Sequence, residues 1–155
     1  MKNLIFILTL TILCSCINSA KNFDLPTTWT KDFTISIYDG GGMMYASTKV
    51  LLTTDSIVYT EMENGKDDIK KHKITAEDQK QILEKLKRLN VEYFKSEGTD
   101  YVVCDKGTTE ICFKINKDKT LCVASGATEE IREKYSKDFY DTFNYLLNFA
   151  KNKTK

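Results

Sequence analysis

One histidine, one proline and one tryptophan occur in this chain of 155 residues. A Ser-His-Asp triad would have a single base available, His72. There is no Gly-x-Ser-x-Gly elbow, no His-Glu-x-x-His and no phosphate-binding Walker loop. Charge of one sign is also missing: 23 Lys and Arg stand against 22 Asp and Glu, a formal net of +1. Nucleic-acid binders carry a basic excess or a clustered basic stripe, so no nucleic-acid partner is expected. A long hydrophobic run is absent too. The main apolar segment covers residues 4–13, too short for a bilayer-spanning helix, which needs ~20 apolar residues.

That segment reads instead as the core of a signal peptide, behind the basic start Met1-Lys2-Asn3. It ends in Leu13-Cys14-Ser15-Cys16, which fits a bacterial lipobox: a large apolar residue, any residue, a small residue, then cysteine. Two cleavages compete. Lipoprotein signal peptidase would cut before a diacylglyceryl-modified Cys16. An ordinary signal peptidase would cut after Ala20, with Asn18 poorly suited three positions before the cut. The expected division is a signal peptide at 1–15, a tether at 16–30, one domain at 31–150 and a disordered tail at 151–155. Each buried lipid CH₂ contributes ~0.8 kcal/mol, and two chains suffice for stable anchoring. The expected partner is therefore the lipid bilayer, reached through acylated Cys16. No aspartate stands next to Cys16, and no acidic cluster comes after it. By resemblance to known lipoprotein sorting rules, this implies the periplasmic side of the outer membrane. Lys2 is the leader's only charge, so the chain from Cys16 onward is formally neutral.

Cys104, Cys112 and Cys122 remain, an odd number for an oxidising compartment. One disulfide with one buried free thiol is one outcome. Three buried cysteines packed as small apolar residues is another. A zinc site with His72 as fourth ligand is a third, although the spacings are not Cys-x-x-Cys knuckles. No metal or other cofactor is expected.

Residues 33–38 alternate apolar and polar as a half-buried strand does. Asp39, Gly40, Gly41 and Gly42 follow, and the next stretch reads as a strand rather than a helix. The glycines therefore read as a β-turn, with a recognition loop as the sharper alternative. Residues 57–62 and 68–73 form a hairpin around Asn64-Gly65. Lys70, Lys71 and Lys73 on its return strand suit a protected sheet edge, with His72 facing solvent there. Thr75 caps a helix with Ile82, Leu83, Leu86 and Leu89 on one face. Residues 101–104, 110–115 and 120–124 read as a three-strand meander. Cys112 and Cys122 then share a face of neighbouring strands, the preferred disulfide pair. A last helix, about 128–148 and broken near Ser136, carries Ile131, Tyr135, Phe139, Phe143, Leu146 and Leu147. This stripe suits a core, with a lipid-binding groove as the alternative. Asp55-Ser56-Ile57 matches a short O-glycosylation pattern and equally an Asp-Ser turn.

The expected fold class is α+β: an antiparallel sheet of about seven strands with two amphipathic helices on one face. The lipobox, and Cys104-Asp105-Lys106-Gly107 opening a meander before a final helix, resemble small Bacteroidota lipoproteins of unknown function. That resemblance brings no catalytic residues. Three functions follow as expectations: a non-enzymatic binding or structural lipoprotein of the envelope, an inhibitor or immunity-type protein with a protein partner, and a hydrolase with an unfamiliar site.

Overall fold

Alternation of side chains along the first strands sets up the whole sheet. The computed structural model describes residues 20–155 except residue 117. The expected signal peptide, Cys16 and the first part of the expected tether lie outside the described residues. The elements follow in chain order: strands β1 (Phe33–Gly41), β2 (Met44–Leu52), β3 (Ser56–Glu63) and β4 (Lys66–Lys73); helix α1 (Ala76–Arg88); a 3-10 turn at Val91–Tyr93; strands β5 (Ser96–Gly98), β6 (Thr108–Ile115), β7 (Lys119–Ser125) and β8 (Glu129–Ile131); and helix α2 (Glu133–Lys153). Six strands form one antiparallel sheet in the order β4-β3-β2-β1-β6-β7, and β5 pairs with β8 in a separate ribbon. The class is α+β.

Period-2 burial places Phe33, Ile35 and Ile37 of β1 in the core, beside Val50 and Leu52, Ile57 and Tyr59, Ile111 and Phe113, and Val123. The same cluster takes Ile82, Leu83 and Leu86 from α1, and Phe139, Phe143, Leu146 and Ala150 from α2. Thr75 starts α1 with a capping box. The Asp78 backbone N–H donates to Thr75 Oγ1 at 3.1 Å, and the Thr75 N–H donates to Asp78 Oδ2 at 3.0 Å. Asn90, in the left-handed region at φ 53°, turns the chain out of the helix.

Several expectations are corrected. Residues 101–104 are not a strand, and the three-strand meander is a hairpin of β6 and β7. Both edges of β6 are already taken, by β1 and by β7. Strand propensity in Tyr101, Val102 and Val103 therefore has no partner to act on. The final helix begins at Glu133 rather than near 128, because residues 129–131 pair with β5. It continues through Ser136 without a break; Phe139, Phe143 and Leu146 of its stripe are buried in the core, as the favoured reading has it, while Ile131 belongs to β8.

The expected tether is, from Asn22 onward, part of the domain. Phe23 and Leu25 are buried, and the Phe23 ring lies 6.1 Å from that of Phe113. The Asn22 side-chain amide donates to the carbonyls of Tyr93 and Phe94. Trp29 packs edge-on to Phe33 at 4.9 Å. Residues 151–153 of the expected disordered tail are instead the last turn of α2. Lys151 pairs with Glu61 at 3.7 Å and Lys153 with Asp78 at 2.7 Å. Cations at a helix C-terminus are favoured by the helix dipole, and here each also meets a carboxylate. Among the described residues, no helix is long and apolar enough to cross a membrane.

Candidate binding surface

The residues between the core positions of each strand point to the other side of the sheet. Strand register assembles them into rows. One row runs Lys71, Val58, Leu51, Ser36, Cys112, Cys122; the next runs Ile69, Thr60, Lys49, Tyr38, Glu110, Ala124. Leu51 and Ile69 on this side are 42% and 55% exposed. An antiparallel sheet readily presents one face to its surroundings, and here that face carries large exposed aliphatic side chains.

Tyr38 is the centre of this face. A Cβ at Gly40 would stand 3.0 Å from the Tyr38 hydroxyl and 2.4 Å from Ser47 Cβ. The bare glycine thus lets the phenol lie along the sheet, and lets β1 and β2 approach. Lys49, directly across from Tyr38, holds its ammonium 5.6 Å from the ring centroid, within cation–π range. Two concavities meet at Tyr38. One, of about 580 Å³, is lined by Tyr38, Lys49, Leu51, Val58, Thr60 and Glu110. The other, of about 660 Å³, runs from Tyr38 past Ser47 and Met62 to Asn64 and Gly65. Each falls within the usual size range of ligand sites. Their chemistry is mixed: an aromatic face, aliphatic walls, one cation and one carboxylate. Such a surface suits recognition of a partly apolar, partly polar chain.

The glycine hairpin closes one end. Gly41 and Gly42 take φ of 85° and 64°, a region open to glycine at no steric cost. Gly42 is not a free tip, since a Cβ there would stand 2.6 Å from the Asp105 carbonyl oxygen. The hairpin leans on residues 105–107, with a small hollow of about 180 Å³ between them. Thr109 Oγ1 donates to Asp39 Oδ1 at 2.8 Å and fixes the flank. What projects at this end is Met43, 75% exposed, together with Tyr101, Val102 and Val103 on the 101–107 loop, also exposed. The sequence singles out Gly40, Gly41 and Gly42 but reads residues 101–104 as a strand. It does not show the pairing of Tyr38 with Lys49, which only the strand register reveals.

Cys112 and Cys122 are joined by a disulfide across the β6–β7 pair. Cys104 is a free thiol and is exposed, where a buried one was expected. Its loop lies outside the sheet and offers no core position. His72 lies exposed on β4, at the sheet edge remote from β6. Four strand spacings of ~4.8 Å separate β4 from β6, so His72 does not share a metal with the cysteines. Among the described residues, no group of three His, Cys, Asp or Glu side chains is placed to hold a metal ion.

The strongest titration shift lies on the core side. Tyr59 is pushed well above the ordinary phenol range by burial and by its hydrogen bond to the Glu61 carboxylate. It serves packing and the Lys151 contact rather than the Tyr38 face. No protein-family model and no curated protein sequence matches the chain.

Proposed function

We propose that this chain is a lipoprotein of the cell envelope, held to the bilayer by acylated Cys16 and facing the periplasm from the outer membrane. Its α+β domain acts as a non-enzymatic binding module. In this reading both helices lie over the core side of the sheet, and the Tyr38 side is left for a protein partner. The observation that carries the reading is the Tyr38 surface itself. Exposed Leu51 lies in the row beside that of Tyr38, Lys49 and Glu110, exposed Ile69 ends the latter row on β4, and two concavities share Tyr38. The chain length adds to it. Lys21 pairs with Glu92 at 3.0 Å, so Cys16 reaches the fastened segment in at most about 18 Å of extended chain. An anchor so short would hold the domain close to the membrane.

Two measurements test the two halves of the proposal. Intact mass of membrane-extracted protein should match a chain starting at acylated Cys16; a lipid-free chain starting at Lys21 would overturn the anchor. A photo-crosslinker placed at Leu51 should form a discrete protein adduct in the envelope, while one at exposed Glu77 on α1 should not. Equal labelling at both positions would overturn the surface assignment. A second reading, an inhibitor or immunity-type protein, draws support from the projecting Met43, Tyr101 and Val102. It predicts that the adduct forms from Met43 instead.

A further inference from the structure

Strand β4 is the end of the sheet order, and all eight of its residues are exposed. The turn before it has two residues, Asn64 and Gly65, both at positive φ, with Glu63 opposite Lys66. In such a hairpin the closing pair exchanges backbone hydrogen bonds, and the direction of the backbone groups then alternates along the strand. Lys66, Asp68, Lys70 and His72 therefore turn their N–H and C=O groups to β3. Asp67, Ile69 and Lys71 turn theirs outward.

We propose that this edge pairs with β4 of a second copy of the chain, antiparallel, with the two-fold axis passing through Ile69. The local sequence is Asp67-Asp68-Ile69-Lys70-Lys71, a palindrome in which charge changes sign about Ile69. Self-pairing on that axis puts Asp67 opposite the second copy's Lys71, Asp68 opposite its Lys70 and Ile69 opposite its Ile69. Opposite charges directly across an antiparallel pair attract, and like charges repel. The outward backbone groups at 67, 69 and 71 meet their counterparts in the same register. Ile69, 55% exposed in the single chain, gains an apolar neighbour. The Lys70 to Asp68 pair within the strand, at 3.1 Å and largely exposed, exchanges one carboxylate for another.

Lysines on an edge normally keep other strands away. Here they also select the register. Alternate residues turn their backbone groups outward, and moving the axis to the next of them sets Asp67 against Asp67 or Lys71 against Lys71. Only the axis at Ile69 brings every charge within 67–71 opposite its complement. The interface is isologous and closes on itself, so it produces a dimer and not a fibre. The two sheets become one, and their Tyr38 surfaces lie on the same side.

The test is the mass of the mature protein, purified from producing cells, by sedimentation across a wide concentration range. Wild-type protein should convert from monomer to dimer as concentration rises. Ile69→Pro removes an N–H that β3 does not use, a position where an edge strand accepts proline, and should remain monomeric. Asp67→Lys alone and Lys71→Asp alone should each weaken the dimer by about tenfold or more. Mixing these two variants should restore it, because each then carries the charge that the other lost. Wild-type protein that stays monomeric throughout, or single charge variants that dimerise as well as wild type, would overturn the proposal.

Discussion

Lys153 Nζ lies 2.7 Å from Asp78 Oδ1, joining the last turn of α2 to the first turn of α1. The Asp78 carboxylate also accepts hydrogen bonds from the N–H and the hydroxyl of Thr75. Burial works against its ionisation, yet the bonds from Lys153 and Thr75 outweigh burial and hold its pKa below the ordinary carboxylate value. Asp78→Asn should destabilise the domain by about 1–2 kcal/mol near pH 7, after allowing for the partly exposed lysine. A lowered folded-state pKa means that this stability is present above the unfolded-state value. It is lost as pH falls through the folded-state value. The gap between wild type and variant in urea unfolding should therefore be full at neutral pH and close below about pH 4. An equal gap at both pH values would sink the assignment.

The segment before β1 is equally testable. Glu92 accepts the Leu25 N–H at 2.9 Å through Oε1 and pairs with Lys21 through Oε2. Phe23 fills the core over Phe113. Phe23→Ala should cost about 3 kcal/mol, the usual loss for truncating a buried phenylalanine. A free tether would show no change in the unfolding midpoint.

Gly40 and Ser47 form a coupled pair. Gly40→Ala should cost about 1–3 kcal/mol through overpacking against Ser47 Cβ. Combining it with Ser47→Gly should recover part of that loss, giving a coupling energy of about 0.5 kcal/mol or more in a double-mutant cycle. Strict additivity would show that the two strands relax apart.

The disulfide closes a sequence separation of 10 residues between Cys112 and Cys122. Replacing both with alanine should lower stability by about 2–3 kcal/mol, mainly by freeing the unfolded chain. The β6–β7 ladder keeps its backbone pairing, so circular dichroism should show the same sheet content. Loss of that signal would mean that the bond, not the ladder, holds the hairpin.

Local chemistry alone determined a good part of this protein. Alternation marked β1 and β6, Asn64-Gly65 marked the β3–β4 hairpin, and Thr75 marked the start of α1. The period of two also set Cys112 and Cys122 on one face. These signals are short-range: a turn, a cap or a period is written within a few residues. Tertiary structure decided whatever depended on competition for a place. Residues 101–104 have strand propensity, but β1 and β7 occupy both sides of β6. Phe23 and Leu25 leave the expected tether because the core has room for them, and Lys151 and Lys153 leave the expected tail because Glu61 and Asp78 stand within reach. The candidate surface divides in the same way. Gly42 was legible as a turn residue, whereas Gly40 and Gly41, expected in the same turn, end strand β1. The row of Lys49, Tyr38 and Glu110 was not legible, because three distant segments meet only once strand register is fixed, and register is a property of the assembled sheet.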